Sequence, residues 1–438
     1  MRFRSYSQPL EEYDLLKPIP KNSVKHNEKA VKTCPKSLFA IMLSLCGLTK
    51  RCPADVTIAL AGAIATGELY LSPKAIAQGI IPASDEISTQ VQQRGSVFTI
   101  NGGQRSQNGR ILFHSFDEFN LNVGETARFI NEVETNAVLG RVVGGNPSHI
   151  DGLIQLVGDP SGVYLLNPAG IVFGPNAALD VPRGFVGSTA TGIGLEDLQG
   201  NIQWFDVFSP LADQRPTGDP SVLRFEVETP GSIANFGRLE IAESDRFWLV
   251  GGNVLQAGVI KAPLGDVALA SVGAYQYLSF GRSASIFDIT LRNARPPSPP
   301  RPITPLDLPT LLTGAEGIRP AATVSITDQG LVILQEPALG QSANALGAGT
   351  TTVIGSPQGA TILSGTIDVS GSSSNLSDFG AVVVTGQDVY LTGATIDARS
   401  PSRAGIFILG SDVRNVGSGI ETERIFVDQV SMIDASAL

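Results

Sequence analysis

The sequence predicts an all-β protein whose strands wind into a right-handed parallel β-helix. Three observations support this fold class: the 438-residue chain has 48 Gly and only 16% charged residues, its apolar residues fall in short runs between turn-forming residues, and one short segment recurs. A chain of this length is too long for one compact core, whereas each coil of a solenoid needs contacts only with its neighbours. A β-sandwich is the competing fold, but it requires clearer alternation of polar and apolar residues and hairpin dipeptides.

The first 78 residues differ in composition from the rest of the chain. They hold 11 Lys and Arg against 6 Asp and Glu, and all three cysteines: Cys34, Cys46 and Cys52. Two apolar runs, at 38–48 and 56–65, are both shorter than the roughly 20 residues of a membrane span. Ala75 and Ala77 form an A-x-A cleavage signal. Residues 1–78 are therefore expected to be a disordered export segment cut near Ala77, and an uncut anchor or an early start codon are the alternatives.

The remaining 360 residues form an acidic body with 35 Asp and Glu against 20 Lys and Arg, and Lys261 is its only lysine. Such a chain has few groups that neutralise phosphates, so nucleic acid is not expected as a partner. The body also contains no cysteine. No disulfide can therefore trap it in an oxidising compartment, and we expect that it can cross a second membrane unfolded.

From residue 96 onward, apolar runs of about three to six residues end at Gly, Asn, Asp or Pro. The run Val163-Tyr164-Leu165-Leu166 before Asn167-Pro168 is typical, and such runs predict strands between turns. Few runs alternate between polar and apolar residues over a long stretch, which suits parallel strands on a narrow core. Only residues 125–142 are compatible with a helix, and they are equally compatible with one irregular coil.

One segment recurs near the C-terminus. Residues 365–370, 394–399 and 431–436 share an Ile-Asp pair at intervals of 29 and 37 residues, which is the scale of solenoid coils with loop insertions. The aspartates of these pairs are Asp368, Asp397 and Asp434. Their position within a repeat favours turn capping. A ladder of acids, as in polysaccharide-degrading enzymes, is the alternative.

A proline-rich linker interrupts the body. Residues 295–302 contain five prolines, and Pro305 and Pro309 follow. Such a segment cannot pair in a ladder and is expected to be extended and exposed. The predicted organisation is an export segment at 1–78, a β-helix module at 79–293, the linker at 294–319 and further β-helix repeats at 320–438.

Residues that could carry chemistry are few. The body has no phosphate-binding Gly-rich loop, no His-Glu-x-x-His and no cysteine pair with zinc spacing, so no catalytic residue, metal or other cofactor is expected. His149 lies two residues from Asp151, but a turn histidine is favoured over a catalytic base. Trp204, Phe205 and Phe208 mark either a surface patch for binding or, as the favoured interpretation, core packing.

Several stretches of the body carry a resemblance: residues 112–116 (Leu-Phe-His-Ser-Phe) with Phe119 and Phe129, 141–152 (Arg-Val-Val-Gly-Gly-Asn-Pro-Ser-His-Ile-Asp-Gly), 163–174 (Val-Tyr-Leu-Leu-Asn-Pro-Ala-Gly-Ile-Val-Phe-Gly) and, further on, 251–254, 258–260 and 264–270. In this order they resemble the secretion domain of filamentous haemagglutinin-type exoproteins, the passenger half of two-partner secretion systems. The resemblance covers residues 96–290. The region after residue 320 is similar only in its general pattern of short apolar runs between turn-forming residues.

The family's signature is Asn-Pro-Asn-Gly-Ile, and this chain has Asn167-Pro168-Ala169-Gly170-Ile171 in its place. The third residue departs from the pattern, and a second family motif, Asn-Pro-Asn-Leu, is absent. Asn146-Pro147 is the other Asn-Pro pair of the matching stretches and is assigned to the predicted secretion motif with these five residues. Pro168 fixes its φ angle and Gly170 admits a positive φ, so the motif encodes a tight turn. It is interpreted as a structural corner, a recognition loop, or both.

The resemblance implies export rather than catalysis. Members cross the inner membrane by a signal peptide, are recognised by an outer-membrane β-barrel transporter with periplasmic domains, and fold outside the cell. The expected protein is a secreted, non-enzymatic exoprotein of the cell surface that acts in adhesion or haemagglutination on an unknown cell-surface or carbohydrate receptor. A polysaccharide-degrading β-helix enzyme and a cytolysin or contact toxin of the same secretion class are the alternatives. Because the sequence ends inside an Ile-Asp repeat, a shortened passenger with an open sheet edge is expected.

Overall fold

A computed structural model describes residues 79–211, 215–280, 290–293, 303–307, 323–326, 332–335, 352–354, 359–373, 378–401, 403–410 and 422–437. The regular elements among these residues are all β-strands. The predictions for residues 1–78, including the disordered export segment and cleavage at Ala75 and Ala77, lie outside the described residues. Within the described part of the chain, no helix has the length and apolar character needed to cross a membrane.

The strands, in chain order, are β1 Ile80–Pro82, β2 Thr89–Arg94, β3 Val97–Gly102, β4 Gln104–Arg105, β5 Ile111–Phe119, β6 Thr126–Asn131, β7 Ala137–Val142, β8 Ser148–Ile150, β9 Leu153–Gly158, β10 Gly162–Leu166, β11 Ile171–Phe173, β12 Ala178–Asp180, β13 Phe185–Ser188, β14 Gly192–Glu196, β15 Ile202–Asp206, β16 Asp219–Phe225, β17 Ile233–Asn235, β18 Arg238–Glu240, β19 Arg246–Gly251, β20 Val254–Gln256, β21 Val259–Lys261, β22 Asp266–Ser271, β23 Gln276–Ser279, β24 Thr290–Asn293, β25 Thr323–Ile326, β26 Val332–Gln335, β27 Thr352–Ile354, β28 Ala360–Leu363, β29 Thr366–Asp368, β30 Ala381–Thr385, β31 Asp388–Leu391, β32 Thr395–Asp397, β33 Ile406–Leu409, β34 Arg424–Val427 and β35 Met432–Asp434.

Most of these strands belong to three faces. The first face has the spatial order β1-β5-β7-β10-β13-β19-β22-β30-β33, with β4 beside β5, and the second has the order β34-β31-β28-β20-β17-β11-β8. The third face consists of the sheets β12-β9-β6-β3-β2 and β18-β21-β29-β32-β35. Consecutive strands such as β10, β11 and β12 lie on three different faces, and each pairs in parallel with the neighbouring coil. The right-handed parallel β-helix predicted from the sequence is confirmed.

Apolar side chains of successive coils line up inside the β-helix. Register on the first face places one column of side chains in line: Val138, Val163, Phe185, Phe247, Val267, Val382 and Phe407. Register on the third face gives a second column: Leu239, Ile260, Ile367, Ile396 and Ile433. Neighbouring strands lie about 4.8 Å apart, so each side chain packs on the one before it. Burial of one such side chain contributes about 1.5–3 kcal/mol.

A second apolar cluster lies on the outer side of the first face. An antiparallel sheet in the order β15-β14-β16-β23-β24 contributes Ile193, Phe205 and Leu223 to it, and the first face contributes Tyr164 and Trp248. We call this sheet the outer sheet. Because both sides of the first face are buried, its strands consist of continuous apolar runs rather than alternating ones.

A helix over residues 125–142, which was one of the two possibilities from the sequence, is wrong because these residues form β6 and β7. Along β6 the side chains alternate between half-buried positions, such as Thr126 and Arg128, and buried ones, such as Ala127 and Phe129. This period of two belongs to a strand with one face on the core.

The coils before and after the proline-rich linker stack on each other. Strand β22 pairs with β30, and β20 pairs with β28. The linker itself departs from its expected exposure, because Leu306 within it is only 5% exposed. The boundaries at 79–293, 294–319 and 320–438 stay predictions.

Candidate functional site

The motif Asn167-Pro168-Ala169-Gly170-Ile171 forms the corner that joins β10 on the first face to β11 on the second. The Gly170 N–H donates to the Asn167 carbonyl over 3.0 Å, and the Ala169 N–H donates to the Asn167 side-chain oxygen over 3.0 Å. Gly170 has a φ of +135°, which L-residues rarely adopt. The asparagine and the glycine therefore build the tight turn that their positions predict.

Asn167 also ties this corner to the coil before it. Its side-chain amide donates to the Asn146 carbonyl over 2.9 Å and to the Ser148 hydroxyl over 3.0 Å. The amide of Asn146, in turn, donates to the Glu118 carboxylate over 2.6 Å. The structure thus brings the two predicted Asn-Pro pairs together in adjacent coils.

All five residues of the signature are buried, whereas Asn146 is exposed and Pro147 is half-buried. A buried carboxamide with its hydrogen bonds made inside the protein offers nothing to a partner on the surface. In the folded state, therefore, Asn167 to Ile171 act as a structural corner. Any recognition of their side chains requires the corner to be open.

The comparisons identify the module that contains this corner. The model of the TPS secretion domain, where TPS stands for two-partner secretion, matches residues 77–279. The chain contains a TPS secretion domain. The family predicted from the sequence is confirmed, and the matched range overlaps the expected 96–290 over residues 96–279.

Two solved structures are similar to this chain. The HMW1 secretion domain from Haemophilus influenzae shares 18% identity, with 82% of this chain and 84% of that chain covered and a TM-score of 0.39. The filamentous hemagglutinin secretion domain shares 18% identity, with 80% and 99% covered and a TM-score of 0.38. No curated protein matches the sequence.

A TPS secretion domain determines where the protein acts. Chains with this domain are exported through an outer-membrane transporter, the second partner of the system, and reach the cell surface. This chain is therefore a secreted exoprotein of a two-partner system.

Arg141, at the start of the second matching stretch, holds three parts of the TPS domain together. Its guanidinium donates to the Ser115 hydroxyl over 3.1 Å, to the Ser209 carbonyl over 2.8 Å and to the Asp85 carboxylate over 2.9 Å. It also lies 5.1 Å from the centre of the Phe205 ring. Sequence reasoning missed this role, because its partners are distant in the chain: Asp85 lies between β1 and β2, Ser115 lies in β5 and Ser209 follows β15.

His114 lies in β5 and is fully buried in the TPS domain. Its Nδ1 is 3.4 Å from the Thr89 hydroxyl, and the Phe129 ring lies 5.6 Å away. Burial, and secondarily the charge of Arg105, lowers the pKa of His114 to about 3. A histidine that stays neutral at physiological pH packs as part of the core and is poorly suited to exchange protons with a substrate.

The three repeat aspartates cap their own turns. Asp368 and Asp434 each accept the N–H and the hydroxyl of the serine two residues later, over distances of 2.6 to 3.0 Å. Asp397 accepts the backbone N–H of Arg399 over 3.1 Å and its guanidinium over 2.9 and 2.6 Å. The hydrogen bond from Arg399 holds the pKa of the Asp397 carboxyl below its usual value. These carboxylates stack in register, but each is engaged by hydrogen bonds within its own turn.

Asp151 binds a turn instead of orienting His149 as a base. Its carboxylate accepts the backbone N–H of Asn176 over 2.7 Å and the side-chain amide of Asn176 over 3.1 Å. His149 is half-buried on β8. Among the described residues, no three His, Cys, Asp or Glu side chains group closely enough to hold a metal ion.

The aromatic residues of β15 divide between core and surface. Phe205 is fully buried in the outer cluster, 4.8 Å from the Phe113 ring, and the half-buried Phe208 packs against the same cluster. Trp204 is half-buried and points to the opposite side of the outer sheet. The Arg224 guanidinium lies 4.1 Å from the centre of its ring, and the Tyr277 ring 5.8 Å away.

Proposed function

We propose that this exoprotein works in adhesion or another surface interaction with a cell-surface or carbohydrate receptor. The observation that carries the proposal is the outward side of the outer sheet, where Trp204 and Tyr277 lie side by side with Arg224 over the Trp204 ring. Tyr277 also donates its hydroxyl to the Glu226 carboxylate over 3.1 Å. Rigid aromatic faces beside charged groups are typical of binding hot spots.

The experiment compares attachment of the purified, secreted chain to host cells and to immobilised glycans. Trp204→Ala is expected to weaken attachment about 30-fold, the equivalent of a hot-spot residue. Leu198→Ser, at an exposed apolar residue in the turn of the same sheet, is the matched control and is expected to attach like the wild type. Undiminished attachment of the Trp204 variant would exclude this surface.

Export is proposed to use the motif twice, first as a recognition signal in the unfolded chain and then as part of the folded β-helix. The transporter reads the Asn146-Pro147 and Asn167 to Ile171 segments in the unfolded chain, and the burial of Asn167 to Ile171 outside the cell then opposes return. Each new coil stacks on the last through local contacts, which supports folding as the source of the pull.

Ile260 and its neighbour Lys261 allow a direct test of that pull. Ile260 is fully buried in the third-face column, whereas Lys261 is half-buried. Ile260→Asp places an unpaired carboxylate in the core, so it should stall export and leave the chain cell-associated on immunoblots of medium and cells. Lys261→Asp should be exported normally. Normal secretion of an Ile260→Asp chain that circular dichroism shows to be unfolded would refute folding as the driving force.

The other two functions considered have less support. A polysaccharide-degrading enzyme needs free acids beside a base or cation, and the set that comes nearest, Asp397 with Arg399 and Asp434, is engaged in turn capping. A cytolysin or contact toxin needs an effector module, and the described residues contain β-helix coils and antiparallel sheets. Adhesion therefore remains the proposed function.

A further inference from the structure

The corner at the motif is completed by a residue from the proline-rich linker. The Leu306 N–H donates to the Ala169 carbonyl over 2.6 Å, and the Leu306 carbonyl accepts the Ser232 N–H over 2.8 Å. A third bond joins the Thr304 N–H to the Gly145 carbonyl over 3.3 Å. Residues 303–307 are thus bound by main-chain groups of three successive coil corners.

The receiving surface is shaped for one extended residue. The Ala169 carbonyl and the Ser232 N–H form a matched acceptor and donor, as one position of a sheet edge would. Gly170 leaves the room for the side chain, because a Cβ there would lie 2.7 Å from the Leu306 Cβ. Leu306 itself is 5% exposed, whereas Thr304 is exposed.

The position at which the chain departs from its family signature is the one that binds Leu306. Ala169 stands where the signature has asparagine, is fully buried, and offers its carbonyl to Leu306. Pro305 favours the extended conformation for the residue before it, Thr304. Sequence and geometry therefore agree on an extended, apolar occupant.

We propose that Ala169, Gly170 and Ser232 form a docking slot for an extended apolar peptide, which residues 303–307 fill in this chain as an intramolecular clasp. The slot recognises backbone N–H and C=O groups with one large apolar side chain, which is the chemistry of strand addition. A peptide in trans enters only when the clasp is withdrawn. This proposal is independent of the export and adhesion proposals.

Hydrogen–deuterium exchange of single amides in the full-length protein provides the first test. The Ser232 N–H is bonded to Leu306, whereas the adjacent Ile233 N–H is bonded to Asn253 over 2.8 Å. Leu306→Gly is expected to speed exchange at Ser232 at least about tenfold, with less than a twofold change at Ile233. Thr304→Ala, on an exposed side chain of the same segment, should change neither.

Equal exchange at Ser232 in wild type and variant would overturn the clasp, as would equal acceleration at both amides. Leu306→Ala, which also retains the N–H and C=O of residue 306 but keeps its Cβ, provides the same comparison with a smaller ratio if the glycine variant does not fold.

The second test adds the docking segment as a separate peptide. A fluorescent peptide with the sequence of residues 301–309 is titrated against the full-length Leu306→Gly variant and the wild type, with anisotropy as the readout. The variant is expected to bind it at least about tenfold more tightly than the wild type, whose slot is filled. A peptide with proline at the Leu306 position lacks the N–H and should not bind. Equal binding to both proteins, or binding to neither, would overturn the slot.

Discussion

Protonation of His114 is expected to set the acid sensitivity of the TPS domain. The ring is fully buried, and its pKa is lowered from 6.5 to about 3. The unfolded chain therefore binds a proton below pH 6.5 that the folded chain does not bind until about pH 3. Since the unfolded state binds more protons in this window, the free energy of unfolding decreases as pH falls through it.

The size of the effect follows from the two pKa values. Between pH 7.5 and pH 5.0 the linkage relation gives a loss of about 2 kcal/mol from this one group. Asp245 and Asp266 work in the opposite direction, because burial raises the pKa of each carboxyl and folding then gains stability on acidification. The pH dependence of unfolding of the wild type alone therefore combines the contributions of several titrating groups.

A variant without the titrating ring separates them. His114→Gln keeps a polar side chain of similar length beside Thr89, and both proteins share the aspartates. Denaturant unfolding followed by tryptophan fluorescence at pH 7.5 and 5.0 should show the wild type losing about 2 kcal/mol more than the variant. The same pH dependence in both proteins would refute a buried, neutral His114.

Three further substitutions test other parts of the TPS domain and the repeats by denaturant unfolding. Arg141→Leu removes the buried guanidinium that joins three elements and should cost about 3–5 kcal/mol; a loss below 1 kcal/mol would show that this contact network is dispensable. Gly144→Ala should cost about 3 kcal/mol, because its Cβ would lie 2.1 Å from the Asp117 carbonyl oxygen, and unchanged stability would contradict that close approach. Asp397→Asn loses an ion pair with a 42% exposed Arg399 and should cost less than about 1 kcal/mol; a larger loss would point to a role beyond turn capping.

Much of the β-helix was predictable because its information is local. A run such as Val163 to Leu166 followed by Asn167-Pro168 specifies a strand and then a turn, whatever the rest of the chain does. The Ile-Asp pairs specify an inward apolar side chain and a turn that follows. The column from Leu239 to Ile433 repeats the inward apolar side chain coil after coil, and its last three coils carry the aspartate as well.

The parts that sequence reasoning missed depend on contacts between distant residues. Nothing near Arg141 indicates that its partners are Asp85 and Ser209, because the segment after β15 that carries Ser209 is brought to Arg141 only when the outer sheet packs on the first face. The prolines around Leu306 predict an extended and exposed segment, but Leu306 is 5% exposed. The groups that bind Leu306, the Ala169 carbonyl and the Ser232 N–H, lie far from it in the chain.

The completed corner places a limit on when the motif can be read. Asn167 needs the Asn146 carbonyl and Ser148, Pro168 accepts the Gly231 N–H over 3.1 Å, and Ala169 accepts Leu306. These partners extend over some 160 residues of chain, so the corner cannot be complete until all of that length is available to fold. On the proposal that the transporter reads the motif in the unfolded chain, the interval for reading it is therefore set by chain length. Lengthening the chain between Ser232 and Leu306 would extend that interval without altering a single motif residue.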